Sequence, residues 1–510
     1  MTVATFVQPS PAAPPPPLLR RLQRSGIACA PGTLAGYRGA HPARSDATPA
    51  GIAYPRTTEE VVSLLRWARK TKTPLSTFSS PPGARHRGAT VKVEHVIADL
   101  SRMNQVRYID ARDAIAVIEP GVTFQALDAA LAPHGLRSFR PLAPRAGKSA
   151  LTAYLEREPL LQAREHWDTL DPLGGAEIVF GTGERFKTGS AASRGSLAEQ
   201  WQAGLRFLTA MGPIATDFMR VVQGAQGTLG IVTWAAVMCE RIPARETCYF
   251  AGCATLAPLV KLTYRLQRRR LADANFIVNA FQLATLLART PGEIRALAAR
   301  LPPWIMFASL VAGDELPDAQ MAWQEADLQA EAAALGLTLQ QELAGHAAAA
   351  LLRRDAPPAQ HYADRVSGAH RSVFFLTQLD RAQGFVDTAH RLAHGHALAD
   401  TEIGVYLQPR LHGRNAHLAF TVPDQPGAGS GPAAAFAREL ATRCCETGGF
   451  FSRPYGPWAA MAYARHKQIE PYMQHAKQLF DPDALLNPGR LCFSTPHSER
   501  DIHDAPRQTP

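Results

Sequence analysis

Two short stretches, almost half the chain apart, constrain this sequence more than anything else in it. The first runs from Gly212-Pro213 to Pro243. It carries Asp217 and then Gln223-Gly224-Ala225-Gln226-Gly227-Thr228-Leu229-Gly230-Ile231-Val232-Thr233, an apolar strand and a closing proline. Backbone rich in glycine ahead of a buried strand is what the close approach of a bulky ligand requires. The second stretch is Asn487-Pro488-Gly489-Arg490, a sharp stop after a C-terminal helical segment. Segments so far apart act together only through a shared ligand or a shared domain.

The 510 residues are too many for one core and predict two domains. A net charge of +10 suits an anionic ligand without naming one, because only 19% of residues are charged. No basic run is interleaved with aromatics, so nucleic-acid binding is not expected. Arg268-Arg269-Arg270 reads as a solvated helix face. The seven cysteines include no CxxC pair, and the adjacent Cys444-Cys445 is a poor geometry for a bridge, so no disulfide framework is expected. Met1 to Pro17 lacks the charged and apolar regions of a signal peptide. No apolar run approaches the ~20 residues of a membrane span. The expectation is a soluble, cytoplasmic protein.

The Pro- and Ala-rich residues 1–17 are expected to be disordered. Thr57 with Glu60 reads as a capping box, and Val61, Leu64, Leu65 and Ala68 mark one face of the helix that follows. Short strands are predicted around Leu75, at Val96–Leu100, near Val106–Ile109 and at Ala114–Ile118. Thr123 reads as the N-cap of a helix ending at Gly135. Glu177–Phe180 and Arg185–Thr188 flank the hairpin connection Gly181-Thr182-Gly183-Glu184. Beyond Pro243 the spacing predicts strands at 304–312, Val373–Leu376, Gly404–Leu407 and Ala416–Val422. Helices are predicted to about 335, over about 381–395 and over about 433–447. The fold class is therefore α+β, with the second half an antiparallel sheet carrying helices on one face.

Three motifs invite chemistry. Ser79-Ser80-Pro81-Pro82-Gly83-Ala84-Arg85-His86-Arg87-Gly88 lies between strands and can turn N–H groups toward a pyrophosphate. Taken alone it reads more simply as an ordinary loop, since its prolines remove donors. Gly147-Lys148-Ser149 resembles the end of a phosphate loop, but Leu142 stands where that motif needs glycine, so the reading is rejected. His412 and His417 have no third ligand at a sensible spacing, and no metal site is expected.

Taken together, the motifs resemble the vanillyl-alcohol oxidase and p-cresol methylhydroxylase (PCMH) family of flavoproteins, from about Tyr54 to about Leu491. Pro55-Arg56-Thr57-Thr58-Glu59-Glu60-Val61 resembles that family's opening helix, and Glu119-Pro120-Gly121-Val122-Thr123 its first FAD-contact turn. Ser149-Ala150-Leu151, Glu156-Arg157 and His166-Trp167 resemble the para-alkylphenol branch. Gly212-Pro213, Asp217 and Gly227–Thr233 continue the register. Arg453 after Gly448-Gly449 falls where that branch keeps an active-site arginine, and Pro482 with Asn487-Pro488-Gly489 closes the pattern.

The resemblance implies a split PCMH-type FAD-binding domain, 51–243 with a return at 455–495, around a substrate (cap) domain at 244–454. Residues 1–50 would be a Pro-rich tail and lead-in, and 496–510 a second tail. It implies FAD, held non-covalently because His86 misses the spacing of covalent His-bearing loops. The FAD contacts would be Ser79, Ser80, Gly83, Ala84, His86, Pro120, Gly121, Ser149, Gly227, Thr228, Gly230, Ile231, Val232, Asn487 and Arg490. The catalytic candidates are Arg453, His166, Tyr455 and Arg410. The implied activity is oxidation of a small alcohol or para-substituted phenol by hydride transfer to flavin N5, in a homodimer, with oxygen or a protein such as a cytochrome as electron acceptor. Two alternatives stand beside it: a catalytically degenerate flavin-binding electron-transfer or assembly subunit, and a D-2-hydroxy-acid dehydrogenase.

The sequence departs from the family in three places. Pro81-Pro82 stands in a loop otherwise rich in glycine. Thr152–Pro159 replaces a Gly-rich flavin loop. Of a phenol clamp built from two tyrosines and an arginine, only Arg453 is matched, with Ser452 and His86 near the tyrosine places. The metal-holding Gly-Asp-Gly-Asn-His and Glu-His-Gly stretches of the hydroxy-acid branch are absent from the sequence.

Overall fold

A computed structural model of the chain describes residues 17–31, 49–81, 93–162, 172–205, 208–213, 217–353, 360–425 and 431–493. Three sheets, with a small two-stranded ribbon, organise it. The first sheet orders its strands Cys29–Pro31, Gly51–Ala53, Val96–Asp99, Leu75–Phe78, the last three parallel to one another. The lead-in read as a tail thus contributes an edge strand, and its helix Pro17–Gln23 buries Leu19 and Leu22. Across the sheet the helix Thr58–Thr71 buries Val61, Leu64, Leu65 and Ala68, the expected face. Its N-terminus is half a capping box. Thr57 accepts from the Glu60 N–H, while the Glu60 carboxylate reaches Arg56 N rather than Thr57 N.

The second sheet is antiparallel. Its central strand Gly230–Arg241 pairs with Leu173–Phe180, Ile115–Ile118 and Leu136–Ser138. The Glu177 carboxylate is buried inside it and accepts from Thr58 Oγ1, Thr233 Oγ1, Trp234 Nε1 and Arg185. The predicted hairpin at 181–184 and the helix capped by Thr123 are both present.

The third sheet has seven antiparallel strands, in the order Leu339–Gln340, Arg245–Cys253, Trp304–Ala312, Asn275–Asn279, Gly404–Arg410, Asn415–Asp424, Ala369–Thr377. Period-two alternation sorts its side chains. Ala251, Met306, Ile277, Leu407, Leu418 and Phe375 face a core shared with four long helices, Leu256–Arg269, Pro317–Ala333, Ala382–Gly395 and Pro432–Glu446. On the other face Phe250, Phe276 and Phe307 pack against the shorter helices Ala280–Leu287 and Pro291–Ala298. Arg137, on Leu136–Ser138, ties this sheet to the second by pairing with Glu240, Glu246 and Asp273.

The chain then returns to the first sheet. After the helix Glu470–Phe480, Leu486 bridges to Leu75, and Asn487 N donates to Leu75 O at 2.8 Å. Lys477 anchors the return. Its buried ammonium donates to Thr228 O at 2.6 Å, Asp481 at 2.7 Å and Leu486 O at 3.1 Å. Removing one partner of such a buried pair leaves the other charged and uncompensated. Lys477→Met should therefore lower stability by about 3 kcal/mol or more. Chemical denaturation measures this, and a change below about 1 kcal/mol would contradict the anchoring role.

Candidate active site

The end of the parallel strand Leu75–Phe78 is where the separated sequence motifs meet. Ser79 Oγ bonds Thr152 Oγ1, and Ser80 Oγ accepts from Ser149 N at 2.9 Å. Ser149 caps the short helix Ala150–Leu155 through the Thr152 N–H. Thr123 bridges to Ser149, and Ala150 N donates to Val122 O, which brings the Pro120-Gly121 turn to the same place. Gly121 is required there by the chain itself: a Cβ would overlap the Ser101 carbonyl. Gly83, Ala84 and His86, and also His166, lie outside the described residues.

Asn487 closes the other side. Its Nδ2 donates to Thr77 Oγ1 at 2.7 Å, Gly227 O at 2.9 Å and Gln226 O at 3.2 Å, and its Oδ1 accepts from Thr77 N at 3.0 Å. Arg490 Nη1 also donates to Gln226 O, and Gln226 Nε2 reaches Pro454 O. This geometry gives the glycines a role within the chain itself. Gly227 has φ +69°, and a Cβ on it would sit 2.6 Å from Asn487 Nδ2 and 2.7 Å from Thr77 Oγ1. The side of Gly227 that a Cβ would take is already filled by protein. Gly230 likewise packs on Ile178 and the Val179 carbonyl. The side chains of Thr228, Ile231 and Val232 are buried in the core.

The open face of the third sheet supplies the rest. Arg453 lies buried with its guanidinium 4.4 Å over the Phe374 ring, and its Nη1 has no hydrogen-bond partner among the described residues. Phe374 also meets His417 and Tyr455. Tyr406 Oη donates to Gln408 Oε1 at 2.7 Å, and Gln408 Nε2 donates to Leu160 O. Arg410 reaches Arg157 O at 3.4 Å, and Arg157 Nη2 donates to Ser452 O at 2.5 Å. So Arg453, Tyr455 and Arg410 do converge, by way of Arg157.

Sequence reasoning passed over Phe374, Tyr406 and Gln408, and weighed His417 only as a metal ligand, because their signal is the alternate face of a strand whose other face is core. It also passed over Lys148 as a failed phosphate loop. Lys148 is 4% exposed and bridges Glu156 at 3.1 Å and Glu158 at 2.6 Å. Burial opposes its charge, yet the two carboxylates outweigh burial and raise its pKa. Burial, and then Glu156 and Glu158, hold the Tyr455 phenol well above its ordinary range against Arg453 and Arg157. Tyr455 is therefore held protonated, as a hydrogen-bond donor. Burial pushes Arg490 down, opposed by Glu156, and its Nε has no partner among the described residues.

Buried guanidinium N–H groups without protein acceptors call for an anion. Lys148 pairs with Glu156 and Glu158, while Arg453 Nη1 and Arg490 Nε lack acceptors among the described residues, so the donor set fits an anionic ligand such as FAD. Residues 49–149 match the FAD binding domain family. The fold superposes on p-cresol methylhydroxylase with substrate bound at a TM-score of 0.75, with 18% identity, over 90% of this chain and 92% of that one. This is an FAD-dependent oxidoreductase with a PCMH-type fold. A 4-ethylphenol oxidase from Gulosibacter chungangensis, in an isoeugenol complex, gives a TM-score of 0.72 at 19% identity over 89% and 91% of the two chains. Among curated relatives, the mitochondrial D-lactate dehydrogenase [cytochrome] of Arabidopsis thaliana is 26% identical over 202 residues, which span 38% of this flavoprotein and 31% of that protein. The match thus covers about a third of that relative's length.

The Asn487 clamp predicts the outcome of filling Gly227. Gly227→Val forces a β-branched residue into a left-handed conformation and pushes Asn487 off Thr77. The variant should lose FAD while its far-ultraviolet circular dichroism stays that of the parent. Full flavin occupancy would show that the clamp does not support the cofactor.

Proposed function

We propose that this flavoprotein is an oxidoreductase acting on a small alcohol or para-substituted phenol, with Arg453 as the partner of the substrate's anionic group. The observation that carries the reading is the buried Arg453 guanidinium, stacked on Phe374 with Nη1 unpaired among the described residues. FAD, when bound without a covalent link, supplies the hydride acceptor. On the cofactor side we assign Ser79, Ser80, Pro120, Gly121, Ser149, Gly227, Asn487 and Arg490 as its neighbours. Arg453 holds a phenolate or carboxylate through its planar fork. Tyr455, held protonated, donates a hydrogen bond beside it. Tyr406, Gln408 and His417 line the same sheet face and orient the substrate.

A second reading, oxidation of a D-2-hydroxy acid, is supported by the likeness to D-lactate dehydrogenase. The same arginine would then hold the substrate carboxylate. Flavin bleaching across a panel of phenols, benzylic alcohols and 2-hydroxy acids separates the two, and no bleaching by any member would favour a degenerate flavin-binding subunit.

Losing a charge-assisted bond in a dry site typically costs on the order of 100-fold or more in rate. Arg453→Ala should slow flavin reduction by the working substrate by about that factor, and Arg453→Lys should recover only part of it. Stopped-flow reduction measures both. An unchanged rate and affinity in Arg453→Ala would remove Arg453 from the site. Acid precipitation should leave the yellow colour in the supernatant; colour in the pellet would contradict non-covalent binding.

A further inference from the structure

The open face of the seven-stranded sheet is sealed where its shorter helices lie and opens beyond them. Val278, on Asn275–Asn279, is fully buried in the core under the helix Ala280–Leu287. In register with it stand Tyr406, then Ala419, then Phe374, one residue on each of the next three strands. Residues directly paired across strands share a face, so these form a row. Tyr406 is only partly buried, and so is Ala419, although Ala419 sits mid-strand with a paired neighbour on either side. Strands lie ~4.8 Å apart, so the Tyr406 and Phe374 backbones stand roughly 10 Å from each other across the Ala419 methyl. The row is a slot with a small floor and two aromatic walls, wide enough for a flat ring. His417 closes one end, its ring 6.1 Å from Tyr406 and 5.8 Å from Phe374. The Arg453 guanidinium stands at the Phe374 wall.

The Tyr406 wall has a fixed hydrogen-bonding sense. Gln408 is wholly buried two residues along the same strand, and its amide meets the Leu160 carbonyl oxygen and Tyr406 Oη. A carbonyl oxygen only accepts, so the amide edge toward Leu160 is the NH2 group. The Gln408 oxygen therefore faces Tyr406, and it too only accepts. The Tyr406 proton is committed to it at 2.7 Å. Burial, and then Tyr362, hold this phenol well above its ordinary range against Arg410, so the proton is kept. What Tyr406 Oη has left for a ligand is lone pairs.

We propose that Tyr406 is a specificity-determining residue, a fixed acceptor that selects a ligand carrying a hydroxyl or amine donor at the end away from Arg453 and rejects a carbonyl or carboxylate there. This rests on the reading of Arg453 as the partner of the ligand's anionic group. A ligand oxygen without a proton would set lone pairs against lone pairs and lose its water for no bond. A site built around a buried polar partner discriminates in this way more sharply than an apolar pocket does.

Three benzoates test this: 4-aminobenzoate carries a donor, 4-acetylbenzoate an acceptor alone, and 4-methylbenzoate neither. Titration calorimetry measures their affinities for the FAD-loaded protein. The parent should bind the amino compound about tenfold more tightly than the methyl compound, and the acetyl compound no more tightly than the methyl one. Tyr406→Phe keeps the ring and should bring the amino and methyl compounds within about twofold of each other. Gln408→Met releases the Tyr406 proton, so the acetyl compound should then bind about fivefold more tightly than the methyl one. A parent that prefers the acetyl to the amino compound overturns the proposal, and so does an amino preference that survives Tyr406→Phe. The parent ranking decides the matter even where Gln408→Met does not fold. If all three bind and weaken in Arg453→Ala but the parent ranks them equally, this inference fails and the Arg453 reading stands. If none binds, or Arg453→Ala leaves all three unchanged, that reading falls and this inference falls with it.

Discussion

The side chain of Asn487 holds the architecture together at its most sensitive point. Four hydrogen bonds join it to the strand Leu75–Phe78 and to the Gln226-Gly227 turn, two segments far from it in sequence. A side-chain amide has two donors and an acceptor with two lone pairs, so few residue types could make all four bonds. The Lys477–Asp481 pair beneath fixes the direction from which Asn487 arrives. The turn at Gln226, in its turn, receives Arg490 and touches Pro454, which leads into Tyr455. One amide thereby sets the spacing between the strand Leu75–Phe78 and the glycine turn, and through Gln226 it reaches Pro454.

Around that fixed frame the chain gathers buried positive charge. Burying guanidinium groups is unfavourable unless each finds an acceptor. Arg157 finds backbone carbonyl oxygen and the face of Phe374 partly serves Arg453, but Arg453 Nη1 and Arg490 Nε find nothing among the described residues. Such a site is stabilised by what binds it. Burial, together with the half-buried carboxylates Glu156 and Glu158, keeps Tyr455 a proton donor.

Much of this was legible in the sequence where local rules and function agree. The Thr57 and Thr123 caps, the hairpin at 181–184 and the strand–helix units after Pro243 follow from spacing and capping chemistry. Arg453, Tyr455, Arg410 and Asn487 were legible through motif resemblance, and they do gather in one region. The glycines were legible, but not their contacts within the chain. Gly227 is needed for its left-handed backbone and for the room Asn487 takes, a partner that only the folded chain brings near. Phe374 and Tyr406 were hidden because a strand that is core on one face shows no separate signal for its other face. The pairing of Lys148 with Glu156 and Glu158 was not legible, since nothing local tells a buried pair from an exposed one. The strand Cys29–Pro31 was lost among prolines, which are tolerated on such an edge.

The account stands on one claim, that the frame built around Asn487 holds a flavin. The visible spectrum of the purified protein, before and after incubation with FAD and removal of the excess, tests it most directly. The account predicts bands in the near ultraviolet and the blue that stay with the protein through gel filtration. A protein that is colourless as purified and colourless again after incubation would contradict it.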